Sequence, residues 1–460
     1  MQTEKNSKNR IASLADRLLE HDDRRSAIFT YVVFGAAPLG GSLVSFAVNI
    51  GAVGGVIEVL RRIVPVSRDR VLLALTVPLY VYCGAYLASL AANPEPRLRY
   101  MLPVLTFLLF PFLYSSWRLS TKDTIARAVV NASMIACYGA LVMAIAQVEF
   151  YGIRAEGGAG NAIVFATATC LAACMALAGA LAASGKVAIV LFGAYCAGII
   201  AILYSGARVT WLALLLTTAA ILWIHRGRLR ARLSLATASL AAIAVGVVAL
   251  VGAQVVPPRV EALVGDWQQM RERGDFDSSL GHRAELWQTG IHAIRSSPLL
   301  GHGPQSTRAL IDQGFSEIGV DVGYSHFHNG FLNAWVEAGI FGALALVALF
   351  AVTALLAVRT LAREIGRSEL LGAVMLIAAT VTYVVNGMTG IMVGHDIVDA
   401  LLVAYLAAGA YLAAGTSLLD GDGKRRRRTS DLEDDQALEL AEQEQRAHQQ
   451  ERGQREHHGP

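Results

Sequence analysis

The chain has 460 residues, of which 54% are hydrophobic and only 16% are charged, and its mean hydropathy is +0.47. This composition is too apolar for a soluble protein, and it excludes the soluble fold classes. The formal net charge of +3 says little by itself, and we expect no nucleic-acid partner. The sequence therefore predicts an all-α, polytopic membrane protein.

Stretches long and apolar enough to cross a membrane recur along the chain. A bilayer core about 30 Å thick needs roughly 20 apolar residues per helix, and about twelve stretches qualify. They centre near residues 34, 52, 80, 108, 135, 172, 195, 216, 243, 343, 378 and 405. Residues 27–60 are almost uninterrupted, and we divide them at Gly40 and Gly41. One large polar loop, near residues 255–327, precedes the last three spans.

This pattern divides the chain into five parts. They are an N-terminal segment, a membrane domain of about nine helices, the loop domain, a membrane domain of three helices, and a tail, at residues 1–25, 26–254, 255–327, 328–416 and 417–460. The first part is polar and mixed in charge, so we expect no cleavable signal peptide. The tail is rich in Glu, Gln, Arg and His and is predicted to be disordered or a lone solvated helix.

The cations in the short loops predict how the protein is oriented. With the N-terminus in the cytoplasm, the cytoplasmic side carries Arg61, Arg62, Arg68, Arg70, Arg118, Lys122, Lys186, Arg226, Arg228, Arg230, Arg232, Arg359, Arg363, Arg367 and the cluster Lys424–Arg428. The short loops on the opposite side carry only Arg97, Arg99, Arg154 and Arg208. The positive-inside rule then places both termini in the cytoplasm and the large loop outside.

Neither a metal nor an organic cofactor is expected. All five cysteines lie in predicted spans, which argues against disulfides and zinc, and Cys170 and Cys174 are interpreted as part of a small-residue packing face. Asp275 and Asp277 form only a weak metal-binding signal, and the turn between the first two spans has no acidic residue. The chain contains no Walker or dinucleotide-binding glycine motif.

Within the loop, residues 283–296 have apolar side chains at helical spacing. We predict an amphipathic helix on the outer membrane surface, with Arg283 and Trp287 one turn apart on the same face. The residues Gly301 to Pro304 should then form a turn. Arg283 is a candidate ligand for an anion, although most arginines in such loops are only solvated.

Arg208 opens a predicted span directly after the short turn at residues 204–207. A cation in the first turn of a helix is unfavourable next to the partial positive charge of that terminus. An anion held between its guanidinium and the free amides of the helix end would compensate. The alternative is that Arg208 extends to the outer lipid headgroups.

His328 lies at the polar entry to a long apolar helix. Its imidazole, with an ordinary pKa of about 6.5, could accept a proton from an attacking hydroxyl as a general base. The alternative is an interfacial histidine that caps a helix start. At 100° per residue, His328 shares one stripe with Trp335, Gly339 and Gly342, and the glycines admit a neighbouring helix or an acyl chain. Glu337 would point away and could face another helix.

The run HFHN at residues 326–329, followed by Gly339 and Gly342, resembles the His-Asn, nine-residue spacer, Gly-x-x-Gly signature of bacterial O-antigen ligases. Two upstream features are similar to other patterns of that family. One is the serine-arginine helix entry at residues 205–208, and the other is the loop pattern made by Arg283, Trp287 and the turn at residues 301–303. The resemblance covers roughly residues 190–345.

This resemblance implies a C-type glycosyltransferase architecture with about twelve spans and one large periplasmic loop. It implies transfer of O-polysaccharide from undecaprenyl diphosphate to a hydroxyl of lipid A-core, by an inverting reaction that needs no metal or ATP. The reaction would occur at the periplasmic face of the bacterial inner membrane, among its lipids. His328 would activate the acceptor, and Arg208 and Arg283 would hold the diphosphate. His326, Asn329 and Trp287 would be further substrate-binding residues.

Three alternatives remain open at this point. An O-antigen polymerase and a protein O-oligosaccharyltransferase share the architecture and the donor with the ligase. A polysaccharide transporter or flippase is a less favoured alternative, because it predicts charged residues near the bilayer midplane and repeated halves. The spans of this chain are almost free of charge.

Overall fold

The computed structural model describes residues 23–61, 69–92, 98–232, 235–273, 278–317 and 323–418. Within these ranges every regular element is a helix. The α-helices are α1 (residues 23–36), α2 (Leu43–Leu60), α3 (Arg70–Ala92), α4 (Leu102–Leu108), α5 (Phe110–Trp117), α6 (Lys122–Ile145), α7 (Ala162–Ala182), α8 (Gly185–Ser205), α9 (Arg208–Ile224), α10 (Arg226–Arg232), α11 (Leu235–Arg273), α12 (Ser279–Ser296), α13 (Thr307–Glu317), α14 (Gly330–Leu361), α15 (Arg367–Gly387) and α16 (Asp396–Ala414).

The membrane-protein class predicted from composition is confirmed. In the described ranges, ten helical segments are long and apolar enough to span a bilayer. All the predicted span centres fall within helices, and the two that do not meet this criterion are α1 and the 17-residue α9. The first two spans separate at residues 37–42, where Gly41 has a φ of 53°. All five cysteines are free thiols.

Two helices form the centre of the membrane bundle. In both α7 and α16, 94% of the residues in the most hydrophobic 18-residue stretch are buried inside the protein. Both are rich in alanine, so neighbouring backbones can approach them closely. Only 28% of the corresponding stretch of α2 is buried, and the side chains of Phe46 and Ile50 in this helix are exposed. Such apolar surface on the outer helices fits contact with lipid.

Helix α11 extends past the point at which the sequence becomes polar. The predicted loop begins near residue 255, so the helix is expected to end there, but α11 continues to Arg273. Polar helix-forming residues extend it, because the change in hydropathy reflects the surroundings and not the backbone conformation. The candidate span in this helix is Val248–Gln268. The predicted features at Asp275, Asp277 and in the tail after residue 418 lie outside the described residues.

The rest of the loop has a small hydrophobic core of its own. We call α12, α13 and residues 323–329 the loop module. Its buried cluster includes Leu286, Ile311, Phe315 and Phe327, and it extends onto Val336 in the first turns of α14. The amphipathic helix predicted from residue 283 is confirmed as α12. Its buried face packs against the module core, while a position on the membrane surface stays a prediction.

Helix α14 is interrupted at Gly339, which has φ 68° and ψ −174°. The turn after α12 fits into this break. The amide of Ile340 donates to the carbonyl of Pro298 at 3.1 Å, and the amide of His302 donates to the carbonyl of Val336 at 2.7 Å. A Cβ atom at Gly339 would clash with the carbonyl oxygen of Leu299. Gly339 is therefore needed for its positive φ and for the close approach of this turn.

The predicted continuous stripe through Trp335, Gly339 and Gly342 is wrong. The rotation of 100° per residue is lost at Gly339, so residues on either side no longer share a face. The space at Gly339 admits the loop backbone and not a helix or an acyl chain. Gly342 is buried against Ala338 of its own helix and close to Tyr82 of α3. Trp335 donates its Nε1–H to the carbonyl of Pro298 at 3.0 Å, which also ties it to the loop.

Candidate active site between the membrane helices and the loop module

His328 lies just before α14 and not on it. The helix begins at Gly330, and Asn329 is its N-cap, because the Asn329 side-chain oxygen accepts from the amides of Phe331 and Leu332 at 3.1 Å. The helical placement predicted for His328 is therefore wrong, and the capping role belongs to its neighbour. His328 itself has a φ of 49°. A non-glycine residue in this region is uncommon, and such strain is often found at functional sites.

The His328 imidazole is oriented by the backbone and by aromatic neighbours. The nearby backbone of Thr389 acts to raise the pKa of His328, against the effect of burial. The Nδ1 atom is buried and has no hydrogen-bond partner. The ring of Tyr324 stands edge-on at 5.3 Å between centroids, and that of His326 lies 4.3 Å away. The free Nδ1 is therefore the nitrogen that can accept a proton.

Both histidines of the HFHN run are held in the neutral form. Burial is the main cause that lowers the pKa of His328, and the nearby charge of Arg283 lowers it further. Burial also lowers the pKa of His326 to about 4, with smaller contributions from His328 and His395. At neutral pH both rings can therefore act as proton acceptors.

Arg283 of α12 interacts with both of the other predicted catalytic residues. Burial is the main cause that lowers the pKa of Arg283, and the charge of Arg208 lowers it further, while Tyr324 and Asp266 act in the opposite direction. The charge of Arg283 also acts on His328. Arg283 thus lies near enough for its charge to act on both Arg208 and His328, which come from two other parts of the chain. Two guanidiniums that repel each other are stabilised by an anion between them.

Arg208 is the first residue of α9, as predicted. The preceding turn is closed by Gly206, which has a φ of 63°. Arg154 supports this turn, because its Nε and Nη2 atoms donate to the Ser205 carbonyl oxygen at 2.9 and 2.7 Å. The sequence identified Arg154 only as an external cation. Its role depends on a contact between residues distant in sequence, which no local pattern reveals.

A cavity of about 100 Å³ opens beside the histidines. His326 and His328 line it together with Asn161, Ile163, Val164, Thr167, Tyr383, Asn386, Ile391 and Val398. Asn386 donates to the Thr167 hydroxyl at 2.8 Å and accepts from the Thr210 hydroxyl at 3.1 Å. These polar contacts fix α7, α9 and α15 relative to one another next to Arg208. Sequence reasoning missed Thr167 and Asn386 because isolated polar residues in apolar spans often serve only helix packing.

A second cavity, of about 290 Å³, lies on the other side of His326. Glu337, Thr307, Arg308 and Ser325 line it together with residues of α3 and of the segment before α16. The Glu337 carboxylate accepts from the amide of Gln305 at 3.1 Å and from the Thr307 hydroxyl at 3.3 Å. Glu337 therefore faces the loop before α13 and the first residue of that helix, and it shares the cavity with Tyr86 of α3. It holds the start of α13 against α14.

Tyr324 was also missed, and it connects the two helical regions of the site. Its hydroxyl is 3.0 Å from Nδ1 of His282, the residue before Arg283, while its ring packs against His328. Trp287 has 37% of its surface exposed and does not occur among the described residues that line either cavity. Among the described residues, no group of three or more His, Cys, Asp or Glu side chains is arranged to hold a metal ion.

Comparison with known protein families finds a match to the region that contains Arg208, Arg283 and His328. The family model described as O-antigen ligase matches residues 193–347. This region, about a third of the chain, is similar to the O-antigen ligase family. It includes Arg208, Arg283 and His328, together with the whole loop module.

Two curated relatives are similar to part of the chain. The exopolysaccharide production protein ExoQ of Rhizobium meliloti is 39% identical over 153 residues, which are 30% of this chain and 32% of the relative. An uncharacterised protein of Haemophilus influenzae is 26% identical over 148 residues, 31% of this chain and 37% of the relative. The chain thus spans about a third of the length of these relatives.

Proposed function

We propose that this protein is a membrane glycosyltransferase that moves a saccharide from a polyprenyl diphosphate to a sugar hydroxyl. The observation that carries the proposal is the position of Arg283, whose charge acts both on Arg208 and on His328, an imidazole whose Nδ1 is buried and has no hydrogen-bond partner. A diphosphate needs cations to stabilise it as it leaves, and an attacking hydroxyl needs a base. Because the lipid diphosphate is already activated, no nucleotide is required.

The reaction is one direct displacement at the anomeric carbon. His328 Nδ1 takes the proton from the acceptor hydroxyl while that oxygen forms the new glycosidic bond. The bond from the anomeric carbon to the diphosphate oxygen breaks, and the electron pair leaves with the diphosphate. Arg208 and Arg283 stabilise the resulting charge through bidentate contacts. The configuration at the anomeric carbon inverts, and a trapped glycosyl-enzyme intermediate would contradict this scheme.

The specific proposal is an O-antigen ligase with undecaprenyl diphosphate as donor carrier and lipid A-core as acceptor. The family match over residues 193–347 supports this assignment. The distribution of cations supports a site at the periplasmic face of the bacterial inner membrane, with both termini in the cytoplasm. No metal or organic cofactor has a role in the proposed reaction.

The second candidate is a polymerase, which would use another lipid-linked saccharide as its acceptor. The similarity to ExoQ, whose name associates it with exopolysaccharide production, favours this candidate. Both candidates need the same base and the same diphosphate-binding arginines. They differ only in the acceptor. A protein O-oligosaccharyltransferase would need a polypeptide hydroxyl in that place.

One reconstitution experiment tests the proposal and separates the candidates. The purified protein is mixed with lipid-linked polysaccharide in a chelating buffer without nucleotide, and lipid A-core, lipid-linked single repeats or pilin is added in separate reactions. A ligase attaches polymer to lipid A-core, a polymerase lengthens the lipid-linked chain, and the third enzyme glycosylates pilin. If none of the acceptors is modified, or if product forms equally with the His328→Ala variant, the proposed function is wrong.

A further inference from the structure

A large cavity lies at the opposite end of the helix bundle from the candidate active site. Its volume is about 590 Å³, and its walls are mostly apolar. The lining residues are Asp123, Ala126, Arg127, Val130, Asn131, Ala178, Gly179, Ala182, Ala183, Val187, Leu191, His225, Arg367, Ser368, Leu370 and Leu371. They come from α6, α7, α8 and α15 and from the residue after α9. None of these residues takes part in the proposed transfer reaction.

The two sites are separated by the length of a membrane span. On α7, Val164 lines the active-site cavity and Ala182 lines the second one. On α15, Asn386 lies at the first site and Arg367 at the second. At 1.5 Å per residue, helices of this length extend about 30 Å, which is the thickness of the bilayer core. The second cavity therefore lies at the other membrane surface.

Two arginines of the cavity have no partner among the described residues. In the described part of the chain, neither Arg127 nor Arg367 makes a hydrogen bond or an ion pair, and both are exposed. The neighbouring acid, Asp123, is engaged by the Ser368 hydroxyl. A salt bridge of 3.3 Å between Lys122 and Glu369 holds the same two helix ends together. Among the described residues that line the cavity, two arginines thus lie beside one carboxylate, and contacts between α6 and α15 hold this rim in place.

A third guanidinium next to this rim has an unsatisfied atom. Nη1 of Arg228 in α10 is buried and has no hydrogen-bond partner. The charge of Arg228 acts on His225, a cavity residue with only 3% of its surface exposed. A buried guanidinium nitrogen without an acceptor is costly, because it loses water and gains nothing in return. An anionic group at the rim would supply the missing acceptor.

We propose that this cavity binds an anionic phospholipid, with its phosphate on Arg127 and Arg367 and an acyl chain in the apolar chamber. The N-termini of α6, α8 and α15 all end at this surface, so their partial positive charges add to those of the arginines. A soluble phosphate could use the arginines but would leave the apolar walls uncovered. A neutral lipid could fill the chamber but would leave the cations unpaired. Basic pockets between membrane helices have this combination when they bind acidic lipids.

The test compares lipid binding by four forms of the full-length protein. Native mass spectrometry and thermal unfolding are measured in neutral detergent with phosphatidylglycerol, with phosphatidylcholine of the same chains, and with inorganic phosphate. Wild type is compared with Arg127→Gln/Arg367→Gln, with Ala182→Phe, which fills the chamber, and with the control Arg359→Gln/Arg363→Gln. The control removes two exposed arginines of the α14 end that do not line the cavity.

We expect phosphatidylglycerol to stay bound to wild type and to the control and to raise their melting temperatures. The double variant at the rim should bind this lipid at least about tenfold more weakly, because two charge-assisted contacts are lost. Ala182→Phe should also bind it more weakly although it keeps both arginines. Equal binding of phosphatidylcholine, equal loss in the control, or an equal effect of inorganic phosphate would overturn the proposal. Transfer activity is not used as a readout, so this result is independent of the proposed function.

Discussion

The membrane bundle and the loop module contribute to the same site but are held together very differently. The bundle has one large hydrophobic cluster that runs through nearly all of its helices. The loop module has a small cluster with only a few fully buried side chains, among them Leu286, Ile311 and Phe315. The bundle supplies Arg208 and the module supplies Arg283. We therefore expect the module, and not the bundle, to open locally without unfolding the rest of the protein.

Hydrogen bonds along the break in α14 join these two regions. The amides of His302 and Gln305 donate across the junction, and the carboxylate of Glu337 is one of the acceptors. Local opening of a small unit with few buried apolar contacts requires much less free energy than unfolding the whole protein. The comparison predicts that changes in the module alter transfer more than bundle stability, while changes in the bundle core do the reverse. The predictions below test this difference, beginning with the largest expected effect.

The largest effect is expected for His328→Ala, which removes the proposed base at the junction. The transfer rate should fall by about 10²- to 10⁴-fold, the usual contribution of a general base. Abundance and melting temperature should stay at wild-type values, because His328 contributes neither to the bundle core nor to the helix cap. The rate is measured with purified protein and lipid-linked polysaccharide.

The matched control for this experiment is His292→Ala, because His292 is an exposed histidine of α12. This variant should keep its activity. If His328→Ala retained wild-type activity in reconstituted membranes, the general-base assignment would be rejected. If it lost activity only through lower abundance, a structural role would explain the result instead.

The next effect concerns the two arginines, one from each region. Arg208→Lys and Arg283→Lys keep the charge but lose the planar fork, so each should lower the transfer rate by about 10- to 100-fold if both contacts with the diphosphate are bidentate. The comparison uses initial rates at saturating acceptor. A Lys variant at position 208 with full activity would favour the alternative that Arg208 only extends to the lipid headgroups.

The third prediction compares the two hydrophobic cores directly. Phe315→Ala removes a ring that is 1% exposed in the module, and Leu402→Ala removes a side chain that is 0% exposed in α16. Each should cost about 2–5 kcal/mol in its own region. Phe315→Ala should increase hydrogen exchange in α12 and α13 and reduce transfer, with little change in α16. Leu402→Ala should lower the melting temperature of the bundle. Equal loss of protection in both regions would show that the module and the bundle unfold as one unit.

The same division explains which features the sequence could predict. Helix positions in the bundle follow from hydropathy, and the turn before Arg208 follows from its local pattern. The break at Gly339 depends on the turn at residues 298–302, which packs there from another part of the chain. The positive φ of His328 has no signature in the local sequence. A helical projection assumes an unbroken backbone, so it placed His328 on a helix that begins only at Gly330. The contacts of Tyr324 and Asn386 join distant segments and have no local signature.

The smallest effect is a shift in the pH dependence of transfer. His328 must be neutral to act as a base, and its pKa is already lowered by burial and by the charge of Arg283. The rate should therefore decline only as the pH falls below about 6.5, the ordinary value for histidine. In Arg283→Gln one of these causes is absent, so the pKa of His328 should rise and the acid limb should move to higher pH. Arg208 belongs to the membrane bundle, and Arg208→Gln should lower the rate but shift the acid limb of the pH profile less than Arg283→Gln does. Equal shifts for the two Gln variants would mean that His328 responds to the shared anion and not to the arginine of the loop module.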